Sequence, residues 1–264
     1  VTDPLRLERP RPGVARVVLD RPEVRNAFDD VLVARLAHAF EALASDGSVR
    51  VVVLAGAGKA FCAGADLFWM KRMVSYSPEE NRRDAAALAA MFLSIDTCPK
   101  PVVGRVQGAA LGGGAGLVAV CDVAIAAEGT LLGTTEVRLG IVPAVISPFV
   151  VRKIGESHAR RWFLTGERFP AEEALRAGLV HAVVPEAALD LEVDRVVDAL
   201  LLGGPEALAV SKALARRMGR LPLDEALEEA TGAIAARRAS AEGQEGMRAF
   251  LERRSPSWTA GSGS

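Results

Sequence analysis

Three consecutive glycines, Gly112-Gly113-Gly114, open an apolar run that continues through Gly116-Leu117-Val118-Ala119-Val120 into Cys121-Asp122. A helix that begins at such a run presents backbone N–H groups that no side chain covers. Its first amides are unpaired and its N-terminus carries partial positive charge, so the arrangement suits a negative oxygen. Downstream lies Glu136, a group able to move a proton beside such an oxygen. The pairing points to chemistry performed by backbone amides and a carboxylate.

Several other readings of the same residues fail. Gly56-Ala57-Gly58-Lys59-Ala60 lacks the spacing and the hydroxyl residue of a phosphate loop. Leu117 stands where a dinucleotide fingerprint needs its third glycine. His38, His158 and His181 are separated from one another and from the cysteines, so no zinc site is expected. No Gly-x-Ser-x-Gly elbow occurs. The apolar stretch from Val106 to Ala127 contains Gly112-x-x-x-Gly116, yet Gln107 and Asp122 interrupt it and its glycines cluster. A buried helix followed by a buried strand is expected there, and no membrane span.

The rest of the chain alternates in a way that favours an α/β class. Val14–Leu19, Val51–Leu54, Val102–Val106 and Val123–Ala126 read as buried strands, the third leading straight into the glycines. Leu32, Leu36, Phe40 and Leu43 fall at helical spacing. Ser77-Pro78-Glu79-Glu80 is a helix start with a capping hydroxyl, and that helix should run to about Ile95. Strand, crossover helix, strand implies a parallel sheet. Beyond about Ser157 strands nearly vanish and helices succeed one another over 156–164, 171–177, 186–202, 205–217, 223–238 and 242–253.

With 264 residues the chain is long enough for a substantial core. A net charge of −1 argues against a dominant nucleic-acid role, and the helix after Ser77 balances Arg82 and Arg83 against Glu79, Glu80 and Asp84. Three cysteines, Cys62, Cys98 and Cys121, sit in apolar surroundings and read as reduced thiols of a cytoplasmic protein. The N-terminal residues have no apolar signal-peptide core.

Two glycine-bearing loops follow parallel-type strands: Phe61-Cys62-Ala63-Gly64-Ala65-Asp66-Leu67 and the segment from Gly108 to Gly116. If Ala65 and Gly113 aim their N–H groups at one point, they form an oxyanion hole. These segments, with Gln107-Gly108-Ala109-Ala110-Leu111 and Glu136-Val137-Arg138-Leu139-Gly140-Ile141-Val142-Pro143, resemble the crotonase superfamily of enoyl-CoA hydratases and isomerases. Asp20-Arg21-Pro22 with Arg25-Asn26-Ala27 resembles its first CoA-contacting loop, and 245–254 its last helix.

The resemblance implies an α/β crotonase fold of repeated ββα units with a C-terminal helical region. That corresponds to an acyl-CoA-binding core over 1–200, helices over 201–260 for trimer contacts and site cover, and a flexible tail at 261–264. It implies homotrimers, or hexamers built as dimers of trimers. It implies an acyl-CoA thioester whose carbonyl oxygen sits between the amides of Ala65 and Gly113, with Glu136 as the catalytic acid–base group. Coenzyme A would be part of the substrate, with no separate cofactor and no metal. Its expected contacts are Arg25, Ala27, Ala63, Ala65, Asp66 and Leu67, and Arg253 from a neighbouring subunit, the two arginines holding phosphates.

The chain departs from its relatives at Gly116, the position where many enoyl-CoA hydratases carry a first catalytic glutamate. One glutamate is left to add water across a 2-enoyl thioester, or to shuttle a proton between C2 and C4 as an isomerase. A non-catalytic acyl-CoA-binding paralogue is the third outcome. Gly116 and the stretch 137–150 look most like 3-methylglutaconyl-CoA and isohexenylglutaconyl-CoA hydratases, enzymes of leucine and acyclic-terpene breakdown. Such a substrate carries a distal carboxylate, for which Arg138, Lys71 and Arg72 are candidate partners. Phe68, Trp69, Met70 and Met73 are expected to wall the acyl pocket.

Overall fold

A computed structural model of the chain describes residues 3–259. The tail expected at 261–264 lies outside them. The chain opens with an antiparallel pair, β1 (Leu5–Arg11) and β2 (Gly13–Leu19). Helix α1 (Asp30–Ser45) follows, its N-terminus closed by the Asp29 side chain, which accepts from the Leu32 N–H at 2.8 Å. Then come β3 (Val49–Gly56), the short α2 (Leu67–Met73) and α3 (Pro78–Thr97). Ser77 and Glu80 close α3 with a reciprocal capping box, as their spacing predicts.

Strand β4 (Val102–Val106) does not pass directly into the glycines. A three-residue strand, β5 (Ala109–Leu111), intervenes before α4 (Gly113–Val120). β6 (Val123–Ala127) and β7 (Leu131–Gly133) come next. Helix α5 (Ser147–Thr165) begins well ahead of the expected 156 because Pro148 starts a first helical piece. That piece meets the second at Gly155, whose φ of 74° lies outside the helical region.

The C-terminal part also contains strands that hydrophobic periodicity does not reveal: β8 (Arg168–Pro170) before α6 (Ala171–Arg176), and β9 (Ala182–Val184). Each is only three residues long and is fixed by distant partners. The chain ends in α7 (Leu189–Leu201), α8 (Pro205–Met218), α9 (Leu223–Ala239) and α10 (Ala241–Leu251).

Six strands form one sheet in the order β1-β2-β3-β4-β6-β9, parallel from β2 onwards. A second sheet has the order β5-β7-β8. β3 is buried on both faces, which explains its unbroken apolar run. Val51 and Val53 face one cluster with Leu189, Val193, Val197 and Leu201 of α7. Val52 and Leu54 face the main core, where α1, α3, α4 and α5 pack. The C-terminal helices are tied back by charge: Asp96 of α3 pairs with Arg152 of α5 and with Arg216 of α8 at 2.7 Å. No helix among the described residues is long and apolar enough to cross a membrane.

Candidate active site

The site is assembled where the two glycine loops meet. The loop after β3 is held by a parallel bridge between Phe28 and Ala65, in which Phe28 donates to the Gly64 carbonyl and Asp66 to the Phe28 carbonyl. Cys62 forms a second bridge to Ala110 of β5. These pairings engage the carbonyl before Ala65 and the N–H after it. The Ala65 N–H itself has no partner among the described residues, nor has that of Gly113 at the first turn of α4. Both residues line the same cavity.

Close approach of the loops explains the glycines. Gly112 has φ 54° and ψ −120°, and Gly64 has φ 96°, conformations that L side chains rarely adopt. A Cβ on Gly64 would lie 3.0 Å from the Leu111 carbonyl oxygen, and one on Gly114 would lie 2.2 Å from that of Cys62. Gly113 is closed to larger residues by Phe28, whose Cε2 stands 2.7 Å from the place of a Cβ.

Glu136 opens a short 3-10 turn over Glu136–Leu139 and reaches back across the glycines. Its Oε1 lies 3.3 Å from where a Cβ on Gly112 would sit. Its Oε2 is buried with no hydrogen-bond partner among the described residues, and it makes no ion pair with Arg138. Burial holds its carboxyl above the ordinary carboxylate range. A partly dry carboxylate with one oxygen unpaired, beside two free amides, is equipped to accept and return a proton next to a developing oxyanion.

The position of the absent second carboxylate is filled by hydrocarbon. A Cβ on Gly116 would come within 2.3 Å of Ile146 Cγ2 and 3.0 Å of the Phe92 ring. Ile146 and Phe92 are themselves buried. The sequence shows the glycine; only the fold shows what occupies its space.

The cavity encloses about 680 Å³ and carries Ala63, Gly64, Gly112 and Glu136 on its wall. Trp69, Met70 and Met73 line it as expected, together with Leu88 and Val145. Phe68 does not: it points outward from α2 and is 79% exposed, because one helical residue turns the side chain by about 100°. Arg138, Lys71 and Arg72 are also absent from the wall, and Arg72 is held by Asp30 at 2.5 Å. Asn81 and Asp84 of α3 line it instead, residues not singled out in the sequence because their segment reads as a solvated helix face.

The remaining predicted contacts cluster around the first loop. Arg25 is exposed, adopts φ 55° and accepts at its carbonyl from the Ala63 N–H at 3.0 Å. Its guanidinium has no ion pair among the described residues. Ala27 is buried, its carbonyl bound by Arg21 Nη1 at 2.6 Å. Leu67 is exposed. Asp66 is turned inward: its carboxylate caps α2 by accepting from Phe68 and Trp69 and pairs with Arg21 at 3.0 Å. Buried Asn26 completes this knot by donating from Nδ2 to the carbonyls of Ala57 and Ala60. Arg253, on the turn after α10, is exposed with φ 55°.

A sequence model of the enoyl-CoA hydratase/isomerase family matches residues 9–261. The chain belongs to that family. Within this crotonase superfamily, AtuE of Pseudomonas aeruginosa superposes with a TM-score of 0.93 at 41% identity, covering 97% of this chain and 99% of that one. An enoyl-CoA hydratase of Shewanella pealeana gives 0.92 at 40% identity, covering 97% and 96%. A crotonyl-CoA hydratase of Syntrophomonas wolfei is 34% identical over 243 residues, 91% of this chain and 92% of its own length. Similarity of this extent carries the crotonase fold across the whole described chain, including its C-terminal helices.

Proposed function

We propose that this family member is an enoyl-CoA hydratase that adds water across the C2=C3 bond of an acyl-CoA thioester with one glutamate. The observation that carries the reading is the buried, unpaired Oε2 of Glu136 in the cavity that also holds the free amides of Ala65 and Gly113. In this reading the thioester oxygen accepts from both amides. Glu136 takes a proton from water as the water oxygen bonds to C3, and the electron pair of the double bond moves into an enolate stabilised by the amides. The same carboxyl then delivers its proton to C2, so that one water has been added and Glu136 is restored.

Coenzyme A is the carrier part of the substrate, with the adenine near Ala63 and Ala65. Arg25 and Arg253 of a neighbouring subunit meet its phosphates; the exposure of both arginines supports that role. Assembly as trimers, or as trimers paired into hexamers, accords with exposed Phe250 and Leu251 on α10. The Met70, Met73, Leu88 and Val145 wall favours an apolar acyl chain. A distal carboxylate, as in 3-methylglutaconyl-CoA, finds no cation on that wall among the described residues.

The hydrocarbon filling beside Gly116 favours one second reading. Moving a proton between C2 and C4 needs a single base and no water site, so double-bond isomerisation is also within reach of Glu136. Mixing enzyme with crotonyl-CoA and 3-enoyl thioesters, and resolving the products, separates the cases. Loss of the enoyl-thioester absorbance with formation of a 3-hydroxyacyl-CoA is expected. Migration of the double bond alone supports the isomerase, and binding without turnover contradicts both.

A further inference from the structure

A second carboxylate faces the acyl cavity. Asp84 of α3 lines it beside Asn81, and its Oδ1 accepts from the Trp69 Nε1–H at 3.1 Å. That bond leaves the carboxylate fixed against the pocket wall with one oxygen uncommitted. The charges it senses nearby are those of Asp30 and Arg72, which pair with each other. Among the described residues no lysine, arginine or histidine lines the cavity. The wall therefore carries two carboxylates, Glu136 and Asp84, and no cation.

In a space walled by hydrocarbon, like charges interact far more strongly than in water. We propose that Asp84 determines specificity by turning away acyl chains that end in a carboxylate and admitting uncharged ones. The proposal rests on the acyl-CoA reading of the cavity and names its substrate class: enoyl thioesters with a neutral tail. Trp69 acts as the positioning residue, because its indole N–H holds the Asp84 carboxylate in place.

Pentanoyl-CoA and glutaryl-CoA test this directly by calorimetry. They match in chain length, differ by a terminal carboxylate, and lack the double bond, so neither is turned over. The wild-type protein should bind pentanoyl-CoA at least tenfold more tightly. Asp84→Asn keeps the acceptor for Trp69 and removes the charge; it should shrink that preference at least fivefold, while Asp84→Glu should retain most of it. Because the readout is a ratio within one preparation, a partly unfolded variant does not distort it. Equal binding of the two ligands by wild type, or a preference unmoved by Asp84→Asn, overturns the proposal. Absence of binding by either ligand is a different failure: it removes the acyl-CoA reading itself.

Discussion

Ile146 Cγ2 stands 2.3 Å from the point where a Cβ on Gly116 would sit. Together with Phe92, it converts the place of a second glutamate into part of the core. The division of labour used by two-carboxylate relatives is closed by packing as well as by sequence. Restoring the carboxylate alone should therefore fail. Gly116→Glu is expected to destabilise the protein by roughly 1–3 kcal/mol or more through overpacking, read as a lower Tm, without raising turnover. A stable Gly116→Glu enzyme with increased hydration would contradict this account of the site.

The Ala65 amide offers a test of the backbone contribution. Ala65→Pro removes an N–H that has no partner among the described residues, so none of their hydrogen bonds is lost. Turnover should fall by about 10²–10³, the range for loss of one oxyanion donor, while circular dichroism and Tm report whether the loop is kept. A folded variant with unchanged kcat would exclude the amide from catalysis.

Asp66 shows how local chemistry holds that amide in place. Its carboxylate caps α2 and pairs with Arg21, so it fixes the loop without entering the cavity. Asp66→Ala should cost about 1–2 kcal/mol in urea unfolding from loss of the cap and its hydrogen bonds. Asp66→Asn, which keeps a capping oxygen, should recover part of it. Equal stability of all three proteins would contradict the capping role.

Glu136 should trade stability for function. Burial raises its carboxyl in the folded state, so the charged form opposes folding at neutral pH. The sign follows: below the ordinary value of 4.5 the carboxyl is neutral in both states and the penalty is absent; it grows as pH rises through the raised folded value. Glu136→Gln should therefore have a higher Tm than wild type at pH 7, and the difference should vanish toward pH 4. A variant less stable than wild type at pH 7 would show that Glu136 has favourable partners after all.

Much of the fold was legible where the determinants are local. The Ser77–Glu80 box, the helical spacing of Leu32, Leu36, Phe40 and Leu43, and the Val51–Leu54 run each carry their own signal within a short stretch. β8 and β9 carry none, since three residues acquire strand character only from β7 and β6 across the chain. At the site, the glycines and Glu136 could be read directly. Phe68 could not be separated from Trp69 without the axis of α2. Asp84 belongs to a segment whose composition resembles any solvated helix, and its exposure to the acyl cavity is decided by the packing of Trp69 against α3.

In the proposed hydration Glu136 alone moves the proton. The direct test is the kcat of hydration for Glu136→Gln beside the wild-type protein, measured on crotonyl-CoA with Tm confirming the fold. Loss of an acid–base group should lower kcat by about 10²–10⁴ while the thioester still binds. A folded Glu136→Gln enzyme that hydrates crotonyl-CoA at the wild-type rate would contradict the claim.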